Sequence, residues 1–524
     1  IMISNIQSWP SSSIGVFHRT EDFPVSRFKQ ANLDRRIIPI HFMSQKNEEM
    51  DALKAELLDA GQGHIFEQIP DLAPGHPIVA QLLGLEIRDS LDHYDCAKSR
   101  DLEIAEESAD PLDAKNVLVW NNCARELRDN ICEIGWESIR TGSVAAVIMS
   151  GGQGTRLGFD GPKGMYNMQL PSGKTIFHIH IERINRIRTV AARNSISGIM
   201  SSLPSIPIYI MTSEINTKII ENYFRDANYF GYPQEDIFFF EQSLEPCLSF
   251  DGKIVIESEE SLSLAPDGNG GIYNALRKSG AIDDMQNRNI EHLHIYGIDN
   301  VLTKSLDPAF IGCCINSESE IGNKVVLRAS KNEKVGVAAE KNGKMVILEY
   351  IEIPKALAET SDENGKLIYS AGNICNHYLN LSFLVKVILP NLMKTYHLAR
   401  KKLKYMDPSS REVIQPSMNN GYKLEMYIFD VFPLASKWIV MEVNRKDEFA
   451  PVKNEPGNDS DSPDTAKKLL SEQAIRWLEA AGAKIEDKSN TLDKLIEISP
   501  TLSYEGEGLD GYKDQIIIPP CYLE

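Results

Sequence analysis

Six consecutive apolar residues, Val144-Ala-Ala-Val-Ile-Met149, run straight into the glycine-rich stretch Ser150-Gly-Gly-Gln-Gly-Thr-Arg-Leu-Gly158. A run of that length, without the alternation of a half-solvated strand, suits a strand buried on both faces of a parallel sheet. Four glycines among residues 151–158 remove the Cβ atoms that would hold a ligand off, so backbone N–H groups can point at phosphate oxygens. Arg156, and Lys163 in Pro162-Lys-Gly-Met-Tyr166, add positive charge to that bare backbone. The combination suits a polyphosphate. Further short apolar runs, Ile206 to Met211, Ile237 to Phe240, Leu293 to Ile298 and Val325 to Ala329, alternate with helical patterns. Such alternation predicts an α/β fold around a doubly wound, largely parallel sheet, with ligands beyond the carboxyl ends of the strands.

The 524 residues exceed one typical core, and about 150 residues per domain suggests three parts. Residues 1–142 are expected to form a mainly helical N-terminal domain, on patterns such as Asp51 to Ala60 closed by Gly61. Residues 143–452 hold the sheet. Residues 453–524 open on the polar, turn-rich loop Asn454 to Pro463 and read as a small mixed α/β domain. Two helices are well signalled. One runs from Thr175 to Ile184, with Phe177, Ile181 and Ile184 on one face; the other is capped by Asp464, with Leu470, Ala474, Trp477, Leu478 and Ala481 on one face and Gly482 as its stop.

A net charge of −19 argues against a nucleic-acid or acidic-membrane binder, because both need a broad basic face. Cations that meet an anionic substrate must then be local. Eight scattered cysteines without a C-x-x-C pair point to neither a zinc site nor a disulfide framework, which fits a reducing, cytoplasmic setting. No apolar run approaches the roughly 20 residues that span a bilayer, so membrane insertion is not expected.

The glycine loop fits neither the Walker pattern nor the dinucleotide fingerprint; counted from Gly152, the last glycine of the latter is replaced by Leu157. Gly-Gly-x-Gly-Thr-Arg with Pro-Lys following resembles the signature of sugar-nucleotide pyrophosphorylases. The Lys-Gly-Met-Tyr continuation resembles one branch, the eukaryotic-type UDP-N-acetylglucosamine (UDP-N-acetylhexosamine) pyrophosphorylases. Phe239 to Gln242, Ala265 to Gly271, Gly297 to Asn300, Val335 to Val337, Leu348 to Tyr350, Ala371 to Asn373, Glu448 to Asn454 and Ser503 to Gly508 resemble further segments of that family in the same order. The likeness spans about residues 115 to 512 and is loose before that.

The resemblance implies a Rossmann-like nucleotidyltransferase core of GT-A type. It also implies a reaction in which UTP and N-acetylglucosamine 1-phosphate give UDP-N-acetylglucosamine and pyrophosphate. In-line attack on the α-phosphorus needs positioning and electrostatic stabilisation rather than a covalent nucleophile. By that likeness Arg156, Lys163 and Lys453 are the catalytic cations. Gly151, Gly152, Gln242, Gly268 and Asn269 bind the nucleotide. Gly336, Glu349, Asn373, Tyr427 and Phe429 surround the sugar, the last two expected to alternate onto one strand face. Asp299, at the end of an apolar run, would hold Mg2+ against phosphate oxygens. Partners are expected to be small molecules only, with the chain a monomer or weak homo-oligomer. Two other readings are a UDP-glucose or broad UDP-sugar pyrophosphorylase and a catalytically silent nucleotide-sugar-binding homologue.

Overall fold

A computed structural model of the protein describes residues 37–101, 109–193, 202–350, 353–392 and 396–524. The chain divides into two units, residues 1–56 and residues 57–524. Of the first, the described part is helical and belongs to Ile37–Asp59. Residues 1–36, part of the expected N-terminal domain, lie outside the described residues. The helix anticipated from Asp51 is thus longer than its pattern suggested, and Gly61, with φ +70°, stands just past its end.

The second unit is organised by a ten-stranded sheet. Its strands are β1 (Val117–Val119), β2 (Val144–Met149), β3 (Ile208–Thr212), β4 (Ile237–Glu241), β5 (His292–Gly297), β6 (Ile321–Leu327), β7 (Val337–Lys341), β8 (Lys344–Leu348), β9 (Ala371–Asn380) and β10 (Trp438–Val443). The main order is β1-β10-β6-β9-β5-β2-β3-β4, with the β7–β8 hairpin branching from β9. Every pairing along that order is parallel except the two made by β9, which is antiparallel to β5 and β6. The sheet is therefore mostly parallel, as the alternation predicted.

β2 is buried at all six positions, which is why it carries no polar alternation. Val144, Ile148, Ile208 and Ile210 pack against Phe177, Ile181 and Ile184 of Ile176–Arg193, the helix that follows the glycine loop. Each such side chain contributes about 1.5–3 kcal/mol when fully buried. Arg125–Arg140 crosses Pro308–Asn316 so closely that a Cβ on Gly135 would stand 1.9 Å from the Pro308 carbonyl oxygen, and one on Gly312 1.9 Å from that of Ile131. Among the described residues no helix is long and apolar enough to cross a membrane.

Three expectations are corrected. The strand placed at Val325 to Ala329 begins four residues earlier, at Ile321, because buried Asn323 and Lys324 are part of it. Asp464 is not the cap of the last long helix. Ser462 caps Pro463–Ala480 by accepting a hydrogen bond from the Thr465 amide, Pro463 takes the first helical position, and Asp464 instead accepts from the amide of Gly457 in the preceding loop. Tyr427 and Phe429 are not on a strand. The strand Gly421–Glu425 ends before them, Tyr427 caps the 3₁₀ turn Ile428–Leu434, and Phe429 lies inside that turn.

Residues 463–524 add the helix Pro463–Ala480 and two pairs of short parallel strands around Leu478, Ile496, Leu509 and Ile517. Ala466, Leu495 and Tyr504 from this part reach the core under β2 and β3.

Candidate active site

Chain leaving the carboxyl ends of β2, β4 and β5 meets at one edge of the sheet. After β2 the glycine loop folds back on itself: the Gly154 amide donates to the Gly161 carbonyl (2.8 Å) and the Lys163 amide to that of Gly152 (3.1 Å). Lys163 is thereby returned to the mouth of its own strand. The loop's glycines serve different ends. A Cβ on Gly154 would collide with the Phe159 ring at 2.7 Å, whereas one on Gly152 would meet nothing within 4 Å. Asn216, fully buried, holds the loop from the side. Its Nδ2 donates to the Gly151 carbonyl (3.0 Å) and its Oδ1 accepts from the Gln153 amide group (2.6 Å).

β5 ends at Gly297, and Asp299 follows with its carboxylate 3.7 Å from the Lys163 ammonium. The backbone of Asp299 accepts from the Val452 amide (2.9 Å), which brings the segment after β10, and Lys453 with it, alongside. Buried Asn300 fixes that segment at a second point. It donates to the Glu448 carbonyl (2.7 Å) and accepts from the Ala450 amide (2.8 Å).

The fourth contribution comes from β9. Its register against β6 shifts between Asn323 and Val325, and Cys375 inside the shift has φ +54°. Such a bulge re-aims backbone at a sheet rim. Here it turns Asn373 to Cys375 toward Asp299. Burial and the nearby Asp299 carboxylate push the Cys375 thiol up to about 12, so it stays protonated.

Gly152, Lys163, Asn269, Asp299, Asn373 and Lys453 together line one cleft of about 330 Å³. Arg156 is not among them; it is exposed on the turn Thr155–Leu157 and makes no ion pair among the described residues. Beside the cleft, Gln242 extends from β4, and a Cβ on Gly151 would stand 3.2 Å from its Oε1. Gly268 has φ +84°, and a Cβ there would be 2.4 Å from the Met426 carbonyl oxygen, so this glycine admits a neighbouring stretch of backbone. Asn269 is committed too, its Oδ1 accepting from the Ile428 amide (3.0 Å).

On the side of the β7–β8 hairpin, the Gly336 carbonyl accepts from the Asn373 amide (2.8 Å), and the Glu349 carboxylate lies 3.0 Å from where a Gly336 Cβ would be. Tyr427 and Phe429 stack ring on ring, with centroids 5.2 Å apart and planes 13° apart.

Among the described residues no group of three His, Cys, Asp or Glu side chains is placed to hold a metal. Asp299 offers one partly exposed carboxylate in a cleft lined by cations. That donor set fits a hard divalent ion that takes one carboxylate and completes its shell with phosphate and water oxygens. Asn216, Asn300 and Asp267 are the residues the sequence reading passed over. Asp267 and Asn300 stood inside family-like segments, but their bonding partners lie elsewhere in the chain, and Asn216 stood in none.

A family model described as UTP--glucose-1-phosphate uridylyltransferase matches residues 93–499. UDP-N-acetylhexosamine pyrophosphorylase-like protein 1 of Xenopus tropicalis is 36% identical over 495 residues, covering 90% of this chain and 95% of that protein. UDP-N-acetylglucosamine pyrophosphorylase of Saccharomyces cerevisiae is 37% identical over 488 residues, covering 89% and 98%. The crystal structure of the uridine diphosphate N-acetylglucosamine pyrophosphorylase from Trypanosoma brucei, in complex with inhibitor, superposes with a TM-score of 0.77 at 28% identity, covering 91% and 98%.

Proposed function

Because the chain belongs to the UTP--glucose-1-phosphate uridylyltransferase family, we propose that it is a uridylyltransferase joining UTP to N-acetylglucosamine 1-phosphate, with UDP-N-acetylglucosamine and pyrophosphate as products. The observation that carries this reading is the convergence of Lys163, Asp299 and Lys453, from three distant segments, on one cleft beside an unobstructed Gly152.

A phosphate oxygen of the sugar phosphate attacks the α-phosphorus of UTP. The new P–O bond forms as the bond to the bridging oxygen of the β-phosphate breaks, and pyrophosphate leaves. Both reactants are anions, so the first task is to hold them together. Lys163 and Lys453, which line the same cleft, do this and neutralise the charge that grows on the equatorial oxygens. Arg156, on its exposed turn, meets the departing pyrophosphate. Gly151, Gln242 and Gly268 read the base, and Asn269 meets the ribose or sugar hydroxyls. Gly336, Glu349 and Asn373 take the sugar hydroxyls, with Tyr427 and Phe429 walling the N-acetyl side. Asp299 is the side chain that would hold Mg2+, which would supply positive charge to offset that of the reacting phosphates. The setting proposed is cytoplasmic, for a monomer or weak homo-oligomer divided near residues 142 and 452.

Pyrophosphate release with UTP and Mg2+ tests the reading, with N-acetylglucosamine 1-phosphate run beside glucose 1-phosphate and N-acetylgalactosamine 1-phosphate. Strong turnover with the first is expected, and turnover confined to glucose 1-phosphate would move the chain to the UDP-glucose branch. Lys163→Ala should lower kcat by at least about 10²-fold, the scale for losing one preorganised donor to the transition state. Near-normal turnover in that variant removes Lys163 from the chemistry.

A further inference from the structure

Gln242 does not meet its ligand with a free amide. Its Nε2 donates to the carbonyl oxygen of Gly268 and to Oδ1 of Asp267 at 3.2 Å. A primary amide carries two N–H groups, so its donor end is fully used. The reversed amide would bring Oε1 against a carbonyl oxygen and a carboxylate oxygen, with no proton between them. The neighbours therefore dictate which way the group points. What remains is Oε1, an acceptor, on the side facing Gly151.

Asp267 is itself immovable. It is fully buried, its carbonyl accepts from the Met426 amide (2.8 Å), and a Cβ on Gly271 would stand 1.8 Å from its Oδ1. Its carboxyl also has the buried Tyr396 hydroxyl beside it. A proton on Oδ2 would leave Oδ1 an acceptor, so the hold on Gln242 survives either protonation state.

We propose that Asp267 is a positioning residue that locks Gln242 with its carbonyl oxygen toward the nucleobase, so that the site selects a pyrimidine donating a ring N–H. Uracil has that N–H at N3; cytosine presents a bare acceptor there, and two acceptors facing each other with no proton between are rejected. The assignment rests on the uridylyltransfer reading and deepens it: base choice is set one residue behind the side chain that touches the base.

The test is kcat/KM for UTP and for CTP, each with N-acetylglucosamine 1-phosphate. Asp267→Ala frees one amide N–H and lets the group turn, so the UTP-to-CTP ratio should fall at least about tenfold. Asp267→Asn keeps an acceptor in place and should hold the ratio within about threefold of the parent. Asp267→Leu, close to the parent in size but with no acceptor for the amide, should also lower the ratio, and it serves where Asp267→Ala does not fold. A merely structural role would reduce both nucleotides alike. An unchanged ratio in folded Asp267→Ala, or in folded Asp267→Leu, overturns the assignment whatever happens to the absolute rate. If the parent turns over neither nucleotide, the uridylyltransfer reading has failed instead, and the ratio of UMP to CMP affinity measured by calorimetry still judges Asp267.

Discussion

Two carboxylates lie buried near the base-facing end of the site, Asp267 and, three residues beyond Gln242, Glu245, which accepts a hydrogen bond from Ser90. Burial pushes each of them up to about 7 from ordinary values of 3.8 and 4.5. The folded protein therefore keeps protons that the unfolded chain releases between those values and neutrality. Stability must fall as pH rises from about 4.5 to 7 and level off above, with a slope of at most about 1.4 kcal/mol per pH unit for each group. Glu245→Gln should remove its share. Thermal melts from pH 5 to 8 should show a smaller loss of Tm than in the parent and a higher Tm at pH 8. Parallel curves would mean that Glu245 titrates normally.

Helix Arg125–Arg140 meets Pro308–Asn316 backbone to backbone at Gly135 and Gly312. Gly135→Ala would force a methyl group into the Pro308 carbonyl, and overpacking of this kind costs about 1–3 kcal/mol or more. Chemical denaturation should show that loss, and an unchanged midpoint would mean that the helices slide apart freely. What could be read in advance follows the same physics. β2 was legible to the residue because both its faces are apolar, and the glycine loop was legible because backbone exposure and cations are written into local sequence. β9 was not. Its residues Ala371-Gly-Asn-Ile-Cys-Asn-His-Tyr-Leu-Asn380 alternate polar groups whose burial depends on neighbours from far along the chain, as with His294 bonded to Asn376. β6 started early for a like reason, since a buried lysine looks like a strand end until its partners are known. Lys163, Asp299 and Lys453 were each legible as residues, yet their meeting is made by Asn300 and the Val452 amide, whose segments were legible but whose bonds to each other's segments were not.

Those partners tie the molecule together. Lys324, with no exposed surface, is paired with Asp307 at 2.5 Å and with Glu448, and Glu448 opens the segment that ends in Lys453. Lys304 reaches both Glu448 and Glu505, and Arg186 pairs with Glu507, so the C-terminal residues and the cleft share one charge network. Removing one member of a buried pair costs about 3–5 kcal/mol because the other charge is stranded. Lys324→Ala should lose stability on that scale, with kcat falling alongside as Lys453 loosens. Calorimetry beside steady-state assays checks both, and a destabilised variant with full activity would uncouple the network from the site. The glycine loop has a last consequence, for descent. Gly154 is held by the Phe159 ring and would persist in any heir that keeps the fold, whereas Gly152 answers to nothing but what enters the cleft. A lineage that gave up catalysis would drift at position 152 while position 154 stood still, and the loss at 152 would date the change.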